Sequence, residues 1–138
     1  MDKSLIIILS ISLVLLILLA VHHYIFSIYE LTYQQNTTKL FADEQSILII
    51  EAIPVNALGK KAPFRNANTK FEIREGSDLV DVLINDYESG IIKIRAKSRT
   101  GKVVIHSKSQ FSLLPTSFEI LIEPNLALVT NLKSSLVE

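Results

Sequence analysis

Between Ser4 and Tyr29 the chain carries no Asp, Glu, Lys or Arg, and from Leu5 to Ala20 it is almost purely Leu, Ile and Val, interrupted by Ser10 and Ser12. No other feature restricts the fold as tightly. A run of roughly 20 apolar residues matches the ~30 Å hydrocarbon layer of a bilayer, and a helix is the conformation in which one segment satisfies its own backbone groups there. The alternative is a cleaved signal peptide, whose apolar region spans about 7–15 residues and ends at a small-x-small site. Here Leu18 and Leu19 precede Ala20, and apolar residues continue through Ile25, Phe26 and Ile28. The run is therefore expected to be an uncleaved signal anchor over residues 1–29.

The α-amine and Lys3 stand against Asp2 on the N-terminal flank, and Glu30 is the first charge beyond the run. Positive charge marks the cytoplasmic side, so the expected topology is a cytoplasmic N-terminus with the rest of the chain extracytoplasmic, periplasmic or at the cell surface. His22, His23, Tyr24 and Tyr29 close the run, where amphipathic rings prefer the headgroup region. The sharper reading of His22 and His23 is a haem ligand or proton relay inside a membrane complex. Their place at the helix end favours the interfacial belt, and no cofactor is expected.

With 138 residues, one soluble domain is the most that remains once the anchor is subtracted. Zero net charge gives no global field for nucleic acid. Lacking cysteine, the chain has no disulfide, thiolate metal site or cysteine nucleophile. Residues 30–45 are polar, free of Pro and Gly, and expected to be a stalk that extends the helix for a few turns or simply spaces the domain. Asn36, Thr37 and Thr38 form an N-x-T acceptor, relevant only to an exported chain in a glycosylating cell.

From Ser46 the pattern becomes short Ile-, Val- and Phe-rich runs between Gly, Pro, Asn, Asp and Ser clusters, the grammar of strands and turns. The expected strands are Ser46 to Ile53, Thr69 to Arg74, Leu79 to Asn85, Ile91 to Ala96, Lys102 to Ser107 and Ser117 to Glu123, with Leu126 to Thr130 an added edge. Phe71 and Ile73 alternate with Lys70, Glu72 and Arg74; Ile92, Ile94 and Ala96 with Lys93, Arg95 and Lys97; Phe118, Ile120 and Ile122 with Glu119 and Glu123. One buried and one wet face per strand is what a sandwich requires. The fold class is all-β: an Ig-like antiparallel β-sandwich of six or seven strands over residues 46–130, preceded by one transmembrane α-helix and followed by a frayed tail, 131–138.

The stretches PVNALGKKAPF, TKFEIREGSDLV, GIIKIRAKSRTGKVVIHSKS and SFEILIEP together resemble bacterial immunoglobulin-like modules, of the kind found in invasin-type adhesins and as accessory domains of glycoside hydrolases. Gly59 and Pro63 match the opening of that pattern, Phe71, Ile73 and Gly76 its strand, and Gly101, Val103, Ile105 and Ser107 or Ser109 its ending. The resemblance spans Ile47 to Glu123. It implies a spacer, adhesion or assembly module and supplies no catalytic residues; here the module stands alone on an anchor.

Two charge blocks follow one another: Glu72, Glu75, Asp78, Asp81, Asp86 and Glu88, then Lys93, Arg95, Lys97, Arg99, Lys102 and Lys108. The plain reading is the wet faces of adjacent strands paired across the ladder. The sharper readings are a Ca²⁺ site at the acids, for which no stretch has a calcium-loop spacing, and a basic docking face of Lys93, Arg95, Lys97, Arg99 and Lys102 for a partner or anionic lipid. His106 reads as a strand-face residue. No Ser lies in a G-x-S-x-G context, and no phosphate-binding glycine loop is present.

The expected function is a non-enzymatic structural or assembly subunit. The bilayer holds its helix, and its sandwich binds a neighbouring membrane or envelope protein, copies of itself included; nucleic acid is not an expected partner. The alternatives are an accessory single-helix subunit of an energy-converting or transport complex, and a surface module for glycan or another ligand.

Overall fold

In the computed structural model, residues 2–126 are described. Helix α1 (Lys3–Val21) runs into a π-helical turn (His22–Phe26), and the 24 residues Lys3–Phe26 are apolar and long enough to cross a membrane. At 1.5 Å per residue they reach about 36 Å, a little beyond the hydrocarbon thickness. Every helix residue from Lys3 to Tyr24 is exposed, so among the described residues nothing covers this all-round apolar surface. The Ser10 hydroxyl donates to the Ile6 carbonyl at 2.9 Å, so it needs no water.

Among the described residues eight strands follow: β1 (Glu30–Gln35), β2 (Lys39–Phe41), β3 (Ile47–Val55), β4 (Thr69–Glu75), β5 (Val80–Asp86), β6 (Ile91–Ala96), β7 (Gly101–Ser109) and β8 (Thr116–Glu123). They form two four-stranded sheets, ordered β1-β3-β6-β5 and β2-β8-β7-β4. All pairings are antiparallel except β2 with β8. This is the expected Ig-like sandwich. Its inner faces meet through Leu40, Leu48, Ile50, Ile92, Ile94, Val103, Ile105 and Ile120, each at most 1% exposed.

Six strands fall where the alternating residues put them. The segment 30–45 corrects the expectation of a stalk, and with it the strand count and the start of the domain. Leu31 and Tyr33 alternate with Thr32 and Gln34, and β1 turns the first pair inward against the core. Leu40 is 1% exposed under β8. The Ser107 hydroxyl, buried on β7, donates to the Tyr33 hydroxyl at 2.8 Å, and the Tyr33 ring meets Phe118 edge-on at 5.2 Å, so β1 ties both sheets together. The expected edge strand Leu126 to Thr130 and tail 131–138 lie, beyond Leu126, outside the described residues.

Nothing intervenes between the apolar helix and the sandwich except Ser27, Ile28 and Tyr29, and the Tyr29 N–H already donates to the Val55 carbonyl at 2.8 Å. A helix end leaves carbonyls without intrahelical partners. Two of them are met by the β3–β4 loop: Asn56 Nδ2 donates to the Ile25 carbonyl at 3.1 Å, and Arg65 Nε to the Phe26 carbonyl at 2.8 Å. Asn56 is buried, and its Oδ1 also accepts the N–H groups of Leu58 and Lys60. One amide thus folds the loop and holds the helix end.

Candidate docking surface

Strand direction sorts the loops into two groups. β1 leaves the helix and β3 returns toward it, so the β3–β4, β5–β6 and β7–β8 loops lie at the helix end; the remaining loops lie at the distal end. The wet faces of the sheets and the edge strands lie between.

β5 is an edge of its sheet. Its register against β6 shifts between Val82, opposite Ile94, and Ile84, opposite Lys93, leaving Leu83 as the extra residue of a bulge. Across the bulge three consecutive apolar side chains stay exposed at the sheet margin: Val82, Leu83 and Ile84 are 49%, 41% and 47% exposed. Charge brackets the trio. Asp81 accepts from Arg95 at 3.4 Å and stands 3.5 Å from Lys97. Asp86 accepts the Ser89 hydroxyl at 2.8 Å and the Glu88 N–H at 3.0 Å. The Ser89 bond, with burial working weakly against it, holds the Asp86 carboxyl below the usual aspartate range. Asn85 Nδ2 donates across to the Phe71 carbonyl at 3.2 Å and closes the sandwich margin behind β5.

On the outer face of the same sheet, Ile84, Lys93 and Ile49 form one cross-strand row. Among the described residues Lys93 has no carboxylate at ion-pair distance. An edge strand with free backbone groups, three exposed apolar side chains and a cation beside them is a template for another extended segment.

The five residues expected to form a basic docking face do not share one. Lys93 and Arg95 lie on β6, Lys97 and Arg99 on the distal connection, and Lys102 on β7 of the opposite sheet. Four of them are ion-paired in place: Arg95 and Lys97 share Asp81, Arg99 meets Asp78 at 3.0 Å, and Lys102 meets Glu75 and Glu119. The two charge blocks mostly pair with each other, at roughly 0.2–1 kcal/mol for each exposed pair. Glu72 is gripped by Lys70 at 2.6 Å and Arg74 at 3.0 Å. The Lys70 hydrogen bond and charge, then Arg74, then neighbouring His106, hold its carboxyl below the usual range. His106 sits on the outer face of β7 opposite Glu72, as expected of a strand-face residue.

His22 and His23 lie on the exposed π-helical turn. The His22 ring stacks at 6.0 Å from Phe26, and His23 meets Tyr24 edge-on at 5.4 Å. Among the described residues no three His, Asp or Glu side chains gather as a metal site. Sequence reading missed the β5 trio, because a bulge removes the alternation it relies on. It also missed Asn56 and Arg65, whose partners lie 31 and 39 residues away and leave no local signal.

No protein-family model and no curated protein sequence matches the chain. Solved structures resemble its fold. A glycosyl hydrolase family 2 member from Bacteroides cellulosilyticus aligns over 70% of this chain and 14% of its own, with 16% identity and a TM-score of 0.53. A β-glucuronidase from glycoside hydrolase family 2 aligns over 71% and 12%, with 18% identity and a TM-score of 0.55. The D00-D0 domain of Intimin aligns over 70% of this chain and 49% of its own, with 15% identity and a TM-score of 0.48. This chain therefore spans only a small fraction of the glycoside hydrolases it matches. At such identities the two hydrolase matches show the sandwich fold alone.

Proposed function

We propose that this chain is a non-enzymatic, membrane-anchored assembly module whose sandwich captures a neighbouring membrane or envelope protein along β5. The apolar trio on the bulged edge carries this reading. The occupant that fits is an extended segment of the partner: its backbone pairs with the free edge of β5, its apolar residues cover Val82, Leu83 and Ile84, and an acidic residue meets Lys93. The helix is retained as an anchor, the N-terminal flank is cytoplasmic and the sandwich extracytoplasmic, in line with Lys3 on that flank. With three residues between helix and β1, the partner must itself lie close to the membrane.

The full chain purified from native membranes in mild detergent should bring a stoichiometric partner. The double substitution Leu83→Asp and Ile84→Asp, at exposed positions, should fold as before and weaken retention of that partner by roughly tenfold or more, the effect of losing a central apolar anchor. Replacing Lys3–Phe26 with an unrelated apolar helix should keep the partner. Undiminished capture by the double variant, or loss with the exchanged helix, contradicts the proposal; the second result would put the specificity in the helix.

A further inference from the structure

The exposed apolar residues of the sandwich loops are not spread evenly. At the helix end, Leu58 is 61% exposed, Phe64 96% and Leu114 76%, Leu113 is fully exposed, and Tyr87 joins them on the β5–β6 loop. The four distal inter-strand connections, 36–38, 42–46, 76–79 and 97–100, expose no large apolar side chain. Among the helix-end loops, 56–68 carries Lys60, Lys61 and Arg65 without an acid of its own, while Lys61 reaches Glu51 at 4.0 Å and Asp86 and Glu88 border the neighbouring β5–β6 turn. Lys70 faces Lys108 directly across the β4–β7 ladder just above the loop. Like charges placed opposite each other disfavour the sheet unless something negative lies nearby. Glu72 meets Lys70, and no carboxylate among the described residues pairs with Lys108.

These loops form a braced surface. Ser109 Oγ lies 3.1 Å from the Ala67 carbonyl, to which it donates, while Thr69 N–H donates to the Tyr87 carbonyl and Ala52 N–H to the Gly90 carbonyl. Between this surface and the emerging helix opens a cleft of about 550 Å³, bordered by Ile28, Phe64 and Phe111 on its apolar side and by Arg65, Asn66 and Gln110 on its polar side. Arg65 spends its Nε on the helix end, which leaves the other guanidinium donors for a ligand.

We infer that the helix-end loops are a second membrane contact: Phe64, Leu113 and Leu114 enter the interfacial layer of the bilayer that α1 spans, and Lys60, Lys61, Arg65 and Lys108 hold anionic lipid headgroups, with the cleft as a headgroup seat. The occupant is this bilayer because the helix, held by Asn56 and Arg65, leaves it within three residues of the sandwich. Apolar tips ringed by cations are what an interface of headgroup and acyl chain accepts. The inference rests on the anchor reading and requires only that helix end and loops share one membrane surface.

The chain has no tryptophan, so a single one reports its own site. The full-length variants Phe64→Trp, Leu113→Trp, Ser98→Trp and Val14→Trp are reconstituted in nanodiscs carrying lipid labelled with nitroxide near the headgroup or deep in the chain. Val14→Trp should be quenched by the deep label. Phe64→Trp and Leu113→Trp should show blue-shifted emission and quenching by the shallow label, more strongly with phosphatidylglycerol than with phosphatidylcholine alone, and Ser98→Trp on the distal loop should show neither. Adding Lys60→Glu and Lys61→Glu should abolish the phosphatidylglycerol effect. If Phe64→Trp and Leu113→Trp match Ser98→Trp while Val14→Trp is quenched, the chain is anchored but its loops do not dock, and the inference is overturned. An unquenched Val14→Trp overturns the anchor reading and the inference together.

Discussion

Deleting residues 30–45 from the full chain, so that the helix joins Ser46 directly, will unfold the sandwich. The deletion removes Leu40, wholly buried beneath β8, and the half-buried Leu31 and Tyr33. Loss of one buried leucine side chain costs about 2–5 kcal/mol, against a total stability of roughly 5–15 kcal/mol for an ordinary domain. The Ser107 hydroxyl, 2.8 Å from Tyr33 and otherwise shut away from water, would lose its partner at a further ~1–3 kcal/mol. β3 and β8 would also become bare edges. The intact chain in detergent should melt cooperatively and give dispersed amide resonances, and the deleted chain should do neither. A cooperative melt of the deleted chain would show that β1 and β2 are accessory, and that residues 30–45 act as a stalk after all.

Gly90→Ala should destabilise the domain by about 2–5 kcal/mol. Gly90 has a φ of 68°, where a side chain costs about 1–2 kcal/mol. Its added Cβ would also lie 2.6 Å from the Ala67 Cβ and 3.1 Å from the Ala52 Cβ, an overpacking worth about 1–3 kcal/mol. Gly59, at φ 71°, has nothing within 4 Å of such a Cβ, so Gly59→Ala isolates the conformational part. For a domain of this size, thermal denaturation should show Gly90→Ala falling by roughly 4–8 °C per kcal/mol, well beyond Gly59→Ala. Equal losses would mean that the β5–β6 turn and the β3–β4 loop do not pack as closely as described. Because Gly90 braces the loops that carry Phe64, its substitution should also disturb the helix-end surface.

The apolar helix was legible because its signal is local and compositional: from Leu5 to Ala20 every residue but Ser10 and Ser12 is apolar. β4, β6 and β8 were legible because Phe71, Ile94 and Ile120 sit in runs that alternate with charged residues over enough positions to show a period of two, and β3, β5 and β7 because short apolar runs lie between turn residues. β1 and β2 carry only Leu31, Tyr33, Leu40 and Phe41 among polar residues, too few for a period to stand out, and distant β3 and β8 decide that they are strands. The basic block misled for a topological reason. The connection from β6 to β7 crosses from one sheet to the other, so Lys93 and Lys102, neighbours in sequence, face opposite directions. Nothing local in the sequence marks Phe64 and Leu113; the order of the strands is what gathers them at the helix end.

In the arrangement proposed above, the helix and the sandwich are set against the bilayer as one unit, with the bulged apolar edge of β5 open along its side. A photoreactive benzophenone side chain installed one position at a time in native membranes tests that arrangement most directly. Position 83 on the bulge should form a discrete adduct with one neighbouring protein, whereas position 34 on the opposite edge of the same sheet and position 98 on the distal loop should form none. An adduct confined to position 15 within the helix, with position 83 silent, would contradict the assignment of β5 as the docking edge.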